Sequence, residues 1–143
     1  MAFNVLIVDD SFSMRAVIKK IIKVSGFNVG KYLEAADGKE ALKVLEDEWV
    51  DLVLTDINMP NMSGLELIAE IKRDQLMQSI PVVMVTTEGS KERMQESMEL
   101  GASGYIKKPF LPEDIRETLN RIMGEPENGS KKCIDNEYEE RDF

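Results

Sequence analysis

The chain has 143 residues, enough for one domain with a buried core and too few for two ordinary ones. Its 27 acidic residues against 18 basic ones leave a net charge of −9, which argues against a nucleic-acid or anionic-membrane surface, since both reward a basic face. It has no histidine and a single cysteine, Cys133, which excludes histidine triads, histidine-ligated metals, an internal disulfide and multi-cysteine zinc sites.

Along the chain, short apolar runs alternate with helical periodicity. Val5-Leu6-Ile7-Val8 is an unalternating run, as expected of a strand buried on both faces. It is flanked by no basic head and stops at two aspartates, and no apolar run approaches a membrane span, so a cytoplasmic protein is expected. Met14, Val17, Ile18, Ile21 and Ile22 fall at helical spacing, and Gly26 is placed to end that helix. Val29–Ala35 reads as a weak second strand. Asp37 followed by Glu40 reads as a capping box opening a helix that buries Ala41, Leu42, Val44 and Leu45. Leu52-Val53-Leu54 is a third strand. Ser63 and Glu66 form a second capping box, before a helix carrying Leu65, Ile68 and Ile71. Val82–Val85 after Pro81 is a fourth strand, and residues 90–100 a polar helix marked by Met94, Met98 and Leu100. Tyr105-Ile106 begins a short fifth strand, and Pro112 opens a last helix with Ile115, Leu119 and Ile122.

Strict strand–helix alternation implies an α/β fold, a doubly wound five-stranded parallel sheet with helices on both faces, over residues 1–124. From Glu125 the pattern stops. Residues 125–143 hold seven acidic and three basic side chains, the composition of an acidic appendage rather than a second domain. Cys133 in this tail is expected to be inert, and Tyr138 and Phe143 are its candidate docking residues.

In open α/β sheets, functional groups gather beyond the carboxyl ends of the strands. The residues there are Asp9 and Asp10 after the first strand and Asp56 after the third. Thr86 and Thr87 follow the fourth, and Lys108 the fifth. If the first and third strands are neighbours, three carboxylates converge in one crevice. Two carboxylates about 4 Å apart repel by roughly 4 kcal/mol at an effective dielectric of 20. Lys108 supplies one positive charge against three negative ones, so a hard divalent ion held by oxygen, Mg2+ in the first instance, is the natural complement. Such a site suits a carboxylate nucleophile attacking phosphorus, with a lysine and a hydroxyl on the phosphoryl oxygens.

The set Asp9-Asp10, Asp56-Ile57-Asn58-Met59-Pro60 with Gly64, Thr86, and Lys108-Pro109-Phe110 resembles the receiver domain of two-component response regulators, most closely the stand-alone CheY-like subclass. The resemblance spans about residues 3–123 and implies the strand order 2-1-3-4-5. It also implies the site roles. Asp56 resembles the phosphoacceptor, and Asp9, Asp10, Asp56 and the main-chain carbonyl of Asn58 resemble the Mg2+ ligands. Thr86 and Tyr105 look like the paired switch residues, and Lys108 like the lysine that binds the phosphoryl group, its bond to Pro109 being cis. Asn58 and Glu88 occupy the positions that tune hydrolysis of the phosphate, and both match chemotaxis members. Thr87 departs from the smaller residue usual at its place. Lys91, Met94, Met98 and Tyr105 fall on the surface that the family uses for output.

The implied protein accepts phosphate from a CheA-like sensor histidine kinase and contacts a flagellar motor switch protein or another output protein, as a monomer without nucleic-acid or membrane partners. It would hydrolyse its own aspartyl phosphate without being a turnover enzyme. A relay intermediate handing phosphate to a histidine phosphotransfer protein is the alternative. A haloacid-dehalogenase-type phosphatase fits less well, because the second acid it needs two places after its nucleophile is Ser11 when Asp9 holds that place. A flavodoxin-like cofactor module lacks its Gly-rich loop after the first strand.

Overall fold

The computed structural model describes residues 2–87 and 90–124. Glu88 and the tail from residue 125, with Cys133, Tyr138 and Phe143, lie outside the described residues. Five strands, β1 (Phe3–Val8), β2 (Val29–Ala35), β3 (Leu52–Thr55), β4 (Val82–Thr86) and β5 (Gly104–Lys107), form one parallel sheet in the order β2-β1-β3-β4-β5. The intervening helices are α1 (Phe12–Ser25), α2 (Gly38–Asp47), α3 (Gly64–Arg73), α4 (Lys91–Glu99) and α5 (Pro112–Met123).

The unalternating strand runs have a direct reading in the packing. Successive strand residues point to opposite faces, and both faces are covered. Leu6, Val8, Val53 and Met84 join Ala41, Leu45, Leu65 and Ile68 under α2 and α3. Val5, Ile7, Leu52, Leu54, Val83 and Val85 join Ile18, Ile22, Ile115 and Leu119 under α1 and α5. Burying each such leucine or isoleucine stabilises the fold by about 1.5–3 kcal/mol relative to exposure.

The helix ends follow their local chemistry. Ser11 accepts from the Met14 N–H at the start of α1, and Gly26, at φ 85°, closes it in the left-handed conformation that glycine adopts freely. Ser63 and Glu66 make a complete reciprocal box at α3. At α2 the expected box is displaced: Asp37 accepts from the Glu40 N–H, but the Glu40 carboxylate accepts from Ala36 N–H, not from Asp37 N–H. Val17, placed on the apolar stripe by its spacing, is exposed, and Leu42 and Val44 are half-buried rather than buried. In α4 the side chain that turns inward is Ser97, whose hydroxyl donates to the Arg93 carbonyl, while Met94 and Met98 are exposed.

Candidate functional site at the carboxyl edge of the sheet

Asp9, Asp56 and Lys108 each stand just beyond a strand, and the sheet's own hydrogen bonding fixes their backbones. Asp56 N–H donates to the Val8 carbonyl at 3.0 Å, Asp9 N–H to Ala35 at 3.1 Å and Lys108 N–H to Thr86 at 2.8 Å. The ladders therefore run past the formal strand ends and carry the functional side chains in register. Gly64 returns the loop after β3 beneath Asp56. Its N–H donates to the Ile57 carbonyl at 2.8 Å, and a Cβ here would collide with the main-chain carbonyl of Asp56. Only glycine permits that approach.

Carboxylate oxygens of Asp9, Asp10 and Asp56 lie within 4.8 Å of one another. Asp9 is buried, Asp56 half-buried and Asp10 exposed. Lys108 Nζ donates to Asp9 Oδ2 at 3.2 Å and stands 3.8 Å from Asp56 Oδ2, with only 9% of its side chain exposed. The remaining main-chain contacts orient the acids: Ser11 N–H donates to Asp9 Oδ1 at 2.9 Å and Ile57 N–H to Asp56 Oδ1 at 2.7 Å. The Lys108–Pro109 peptide bond is cis, as the resemblance implies.

Among the described residues, one ammonium faces three carboxylates and cannot balance them. The nearby cations Arg15 and Lys19 are engaged elsewhere, on Glu34, at 2.7 and 2.6 Å. Those two bonds, Lys19 first, hold the Glu34 carboxyl below the usual carboxylate range. Arg15 also donates through Nη1 to the Asp9 carbonyl at 2.6 Å, so it braces the acid's backbone without neutralising its side chain. A cluster of hard, anionic oxygens with a charge deficit of two matches a divalent, oxygen-preferring cation such as Mg2+.

The other residues singled out in the sequence are placed as follows. Thr86 is the last residue of β4, fully buried, and pairs in register with Lys107 of β5. Tyr105 is half-buried in β5, against the cluster under α2 and α3. Asn58 is exposed on the loop after β3. Lys91, Met94 and Met98 are exposed on α4 at helical spacing, away from the acidic cluster in the chain. Thr87 is exposed. A cleft of about 420 Å³ lined by Lys23, Phe27, Asn28 and Tyr32 stands at the opposite, amino edge of the sheet and has no carboxylate in its lining.

Sequence reasoning missed two side-chain contacts on the elements that carry the site. One is Arg15 with Glu34, 19 residues apart and without any local signal. The other is Asn61, whose amide donates to Asp37 Oδ2 at 2.7 Å. Its φ of 67° is a left-handed conformation in which asparagine is over-represented, so an asparagine two residues before a capping serine carried a weak hint. The Asp37 carboxyl is held below its ordinary range by the Glu40 N–H and then by this Asn61 amide.

Residues 5–120 match the response regulator receiver domain family. The chain is 40% identical over 120 residues to chemotaxis protein CheY-3 of Vibrio cholerae, covering 84% of this chain and 91% of that protein. It is 39% identical over 122 residues to a chemotaxis protein CheY homolog of Campylobacter jejuni, covering 85% and 92%. Among solved structures, the chemotaxis response regulator CheY4 of Vibrio cholerae superposes with a TM-score of 0.75 at 36% identity, over 85% of this chain and 99% of that one. A CheY-like receiver domain protein from Methanospirillum hungatei gives 0.73 at 32% identity, over 89% and 98%. The chain belongs to the response regulator receiver family, whose members are signalling proteins. Within it, the likeness over nearly the whole length of stand-alone relatives makes this a CheY-like receiver. Among the described residues, no helix is long and apolar enough to cross a membrane.

Proposed function

We propose that this chain is a cytoplasmic, monomeric, single-domain response regulator of chemotaxis or flagellar motor control. A sensor histidine kinase, or a small acyl phosphate, donates a phosphoryl group to Asp56, and residues 125–143 are an appendage to the receiver. The observation that carries this reading is the gathering of Asp9, Asp10 and Asp56, with the ammonium of Lys108 on Asp9 and Asp56 the one side-chain cation paired with them among the described residues. The chemotaxis assignment rests on the relatives named above.

A carboxylate oxygen of Asp56 attacks phosphorus, forming an O–P bond as the P–N bond to the donor imidazole, or the P–O bond to acetate, breaks. The leaving group keeps the bonding electron pair. Asp9, Asp10, Asp56 and the main-chain carbonyl of Asn58 would hold Mg2+, which when bound screens the charge of the incoming phosphate. Lys108, 3.8 Å from Asp56, is within reach of a phosphoryl oxygen and would exchange its bond to Asp9 for one to the new dianion. Phosphorylation adds charge and acceptor oxygens beside Thr86, and the resemblance makes Thr86 and Tyr105 the elements whose populations shift in response. Asn58 and Glu88 tune the lifetime of the acyl phosphate, which the protein hydrolyses itself. Lys91, Met94, Met98 and Tyr105 form the output surface, with a flagellar motor switch protein as the leading partner.

Intact mass after incubation with acetyl phosphate, with and without Mg2+, tests the reading. A hydroxylamine-labile adduct is expected on the wild type only with Mg2+, and none on Asp56→Asn. An adduct that persists in Asp56→Asn would remove the assignment. Thr86→Ala is expected to take up phosphoryl normally yet gain little affinity for a motor-switch peptide on phosphorylation. A normal gain would discard the switch role.

A further inference from the structure

The loop that joins β3 to α3 carries Asn58, and it is tied at both ends of its turn. The Gly64–Ile57 bond closes its neck at 2.8 Å. Its tip is attached to a different element, the start of α2. Asn61 donates to Asp37 Oδ2 at 2.7 Å, and the Gly38 N–H donates to the Met62 carbonyl at 3.3 Å. Asp37 is only 8% exposed, and its other oxygen accepts from the Glu40 N–H at 2.9 Å. The two sides fit closely: a Cβ on Gly38 would come within 2.6 Å of the Met62 side chain. Asn61 holds a left-handed φ of 67°, which a non-glycine residue adopts at some cost, so the side-chain bond offsets backbone strain.

We propose that Asp37 and Asn61 are positioning residues for the cation site: by pinning the tip of the β3–α3 loop to α2, they hold the Asn58 main chain where it can complete the oxygen cluster of Asp9, Asp10 and Asp56. Neither residue need touch the ion. Asp37 lies 19 residues before Asp56 in sequence, on the strand-to-helix turn after β2, and serves as the anchor because α2 caps on the same carboxylate. A carboxylate has two separate oxygens, so one can accept from the helix end and the other from the loop without competing for the same atom. The proposal rests on the functional reading above, since it presumes that the acidic cluster takes Mg2+.

Asn61→Gly isolates the side-chain bond, because glycine accepts the left-handed φ without strain and the α2 cap on Asp37 stays intact. Calorimetric titration with Mg2+ is expected to give about tenfold weaker binding for Asn61→Gly than for the wild type. Its melting temperature in EDTA should fall by a few degrees at most, for the lost bond to Asp37, with a cooperative transition showing that the fold is kept. In acetyl phosphate labelling, the Mg2+ concentration for half-maximal rate should rise by a similar factor, with the rate at saturating Mg2+ unchanged. A purely structural role would not separate those two quantities. The exchange Asp37→Asn with Asn61→Asp keeps an oxygen for the helix cap, reverses the donor and acceptor, and should restore most of the affinity. Wild-type Mg2+ affinity in Asn61→Gly would overturn the proposal while leaving the functional reading in place, and so would an exchange variant as weak as Asn61→Gly. A wild type that binds no Mg2+ would overturn both.

Discussion

The two edges of the sheet treat their acids differently. At the amino edge, Asp51 sits just before β3 with both oxygens occupied: Oδ2 accepts from Asn4 N–H at 2.8 Å, and Oδ1 from the Trp49 indole at 2.9 Å. Asn4 completes the loop by donating its side-chain amide to the Trp49 carbonyl at 3.0 Å. That carboxylate ties the end of one strand to the turn before another. At the carboxyl edge, the side chains of Asp9, Asp10 and Asp56 crowd within 4.8 Å with a single ammonium between two of them. Asp9 also has both oxygens engaged, by Ser11 N–H and Lys108, but it shares that ammonium with Asp56, whereas Asp51 is held by uncharged local donors and is part of the scaffold. Acids assembled beyond the supply of cations keep a capacity for an external one, and the fold retains them against their repulsion.

The largest effect that would break this comparison is on phosphoryl uptake. Asp56→Asn is expected to abolish it, whereas Asp51→Asn should label at the wild-type rate by intact mass. Labelling that fails equally in both would mean that the carboxyl edge has no special chemistry. Metal linkage comes next. Mg2+ at a hundred times its dissociation constant should stabilise the wild type against urea by about 2.7 kcal/mol, an increment that EDTA removes. Asp9→Asn should lose most of it, and Asp51→Asn none. A smaller effect belongs to the amino edge: Asp51→Ala leaves the Asn4 N–H and the Trp49 indole without their acceptor and should cost about 1–2 kcal/mol in urea unfolding, equally with and without Mg2+. An Asp51→Ala loss that depends on Mg2+ would couple the two edges and undo the distinction.

The parts of the molecule legible in the sequence are those governed by neighbours along the chain. Val5–Val8 and Val82–Val85 read as strands because both faces are buried, and Ser63 with Glu66 as a helix start because the cap closes within four residues. The acids of the site were legible as residues that follow strands. What escaped depends on partners far away. β1 begins two residues earlier than its apolar run, since Phe3 stacks on Phe27 with ring centroids 5.6 Å apart and Asn4 N–H is held by Asp51. Thr86 falls inside β4 rather than after it, because the parallel ladder with β5 continues to Lys107. Glu40 chose the Ala36 N–H over that of Asp37, a competition between adjacent donors that residue types cannot decide. The charge deficit was legible; the bonds of Arg15 to Glu34 and the Asp9 carbonyl, and of Asn61 to Asp37, were not.

The smallest expected effect concerns the bond of Arg15 to Glu34 and is read by pH. Glu34 ends a chain of contacts, Lys19 and Arg15 to its carboxylate and Arg15 on to the Asp9 carbonyl. Its folded pKa is depressed, chiefly by the Lys19 bond and then by the Arg15 bond. A depressed carboxylate contributes stability that is fully present above its unfolded pKa, about 4.3, and that is lost as pH falls through the lower folded value. Since the Glu34 side chain is 29% exposed, solvent screening keeps this contribution at or below about 1 kcal/mol. Urea unfolding of Glu34→Gln should therefore be slightly weaker than wild type at neutral pH and converge with it in acid. Curves that stay parallel to the lowest measurable pH would mean that Arg15 is held by the Asp9 carbonyl alone. The carboxyl edge would then owe its geometry to the sheet ladder, which includes the Asp9–Ala35 bond to β2, and to the β3–α3 loop, with no contribution from the Glu34 side chain.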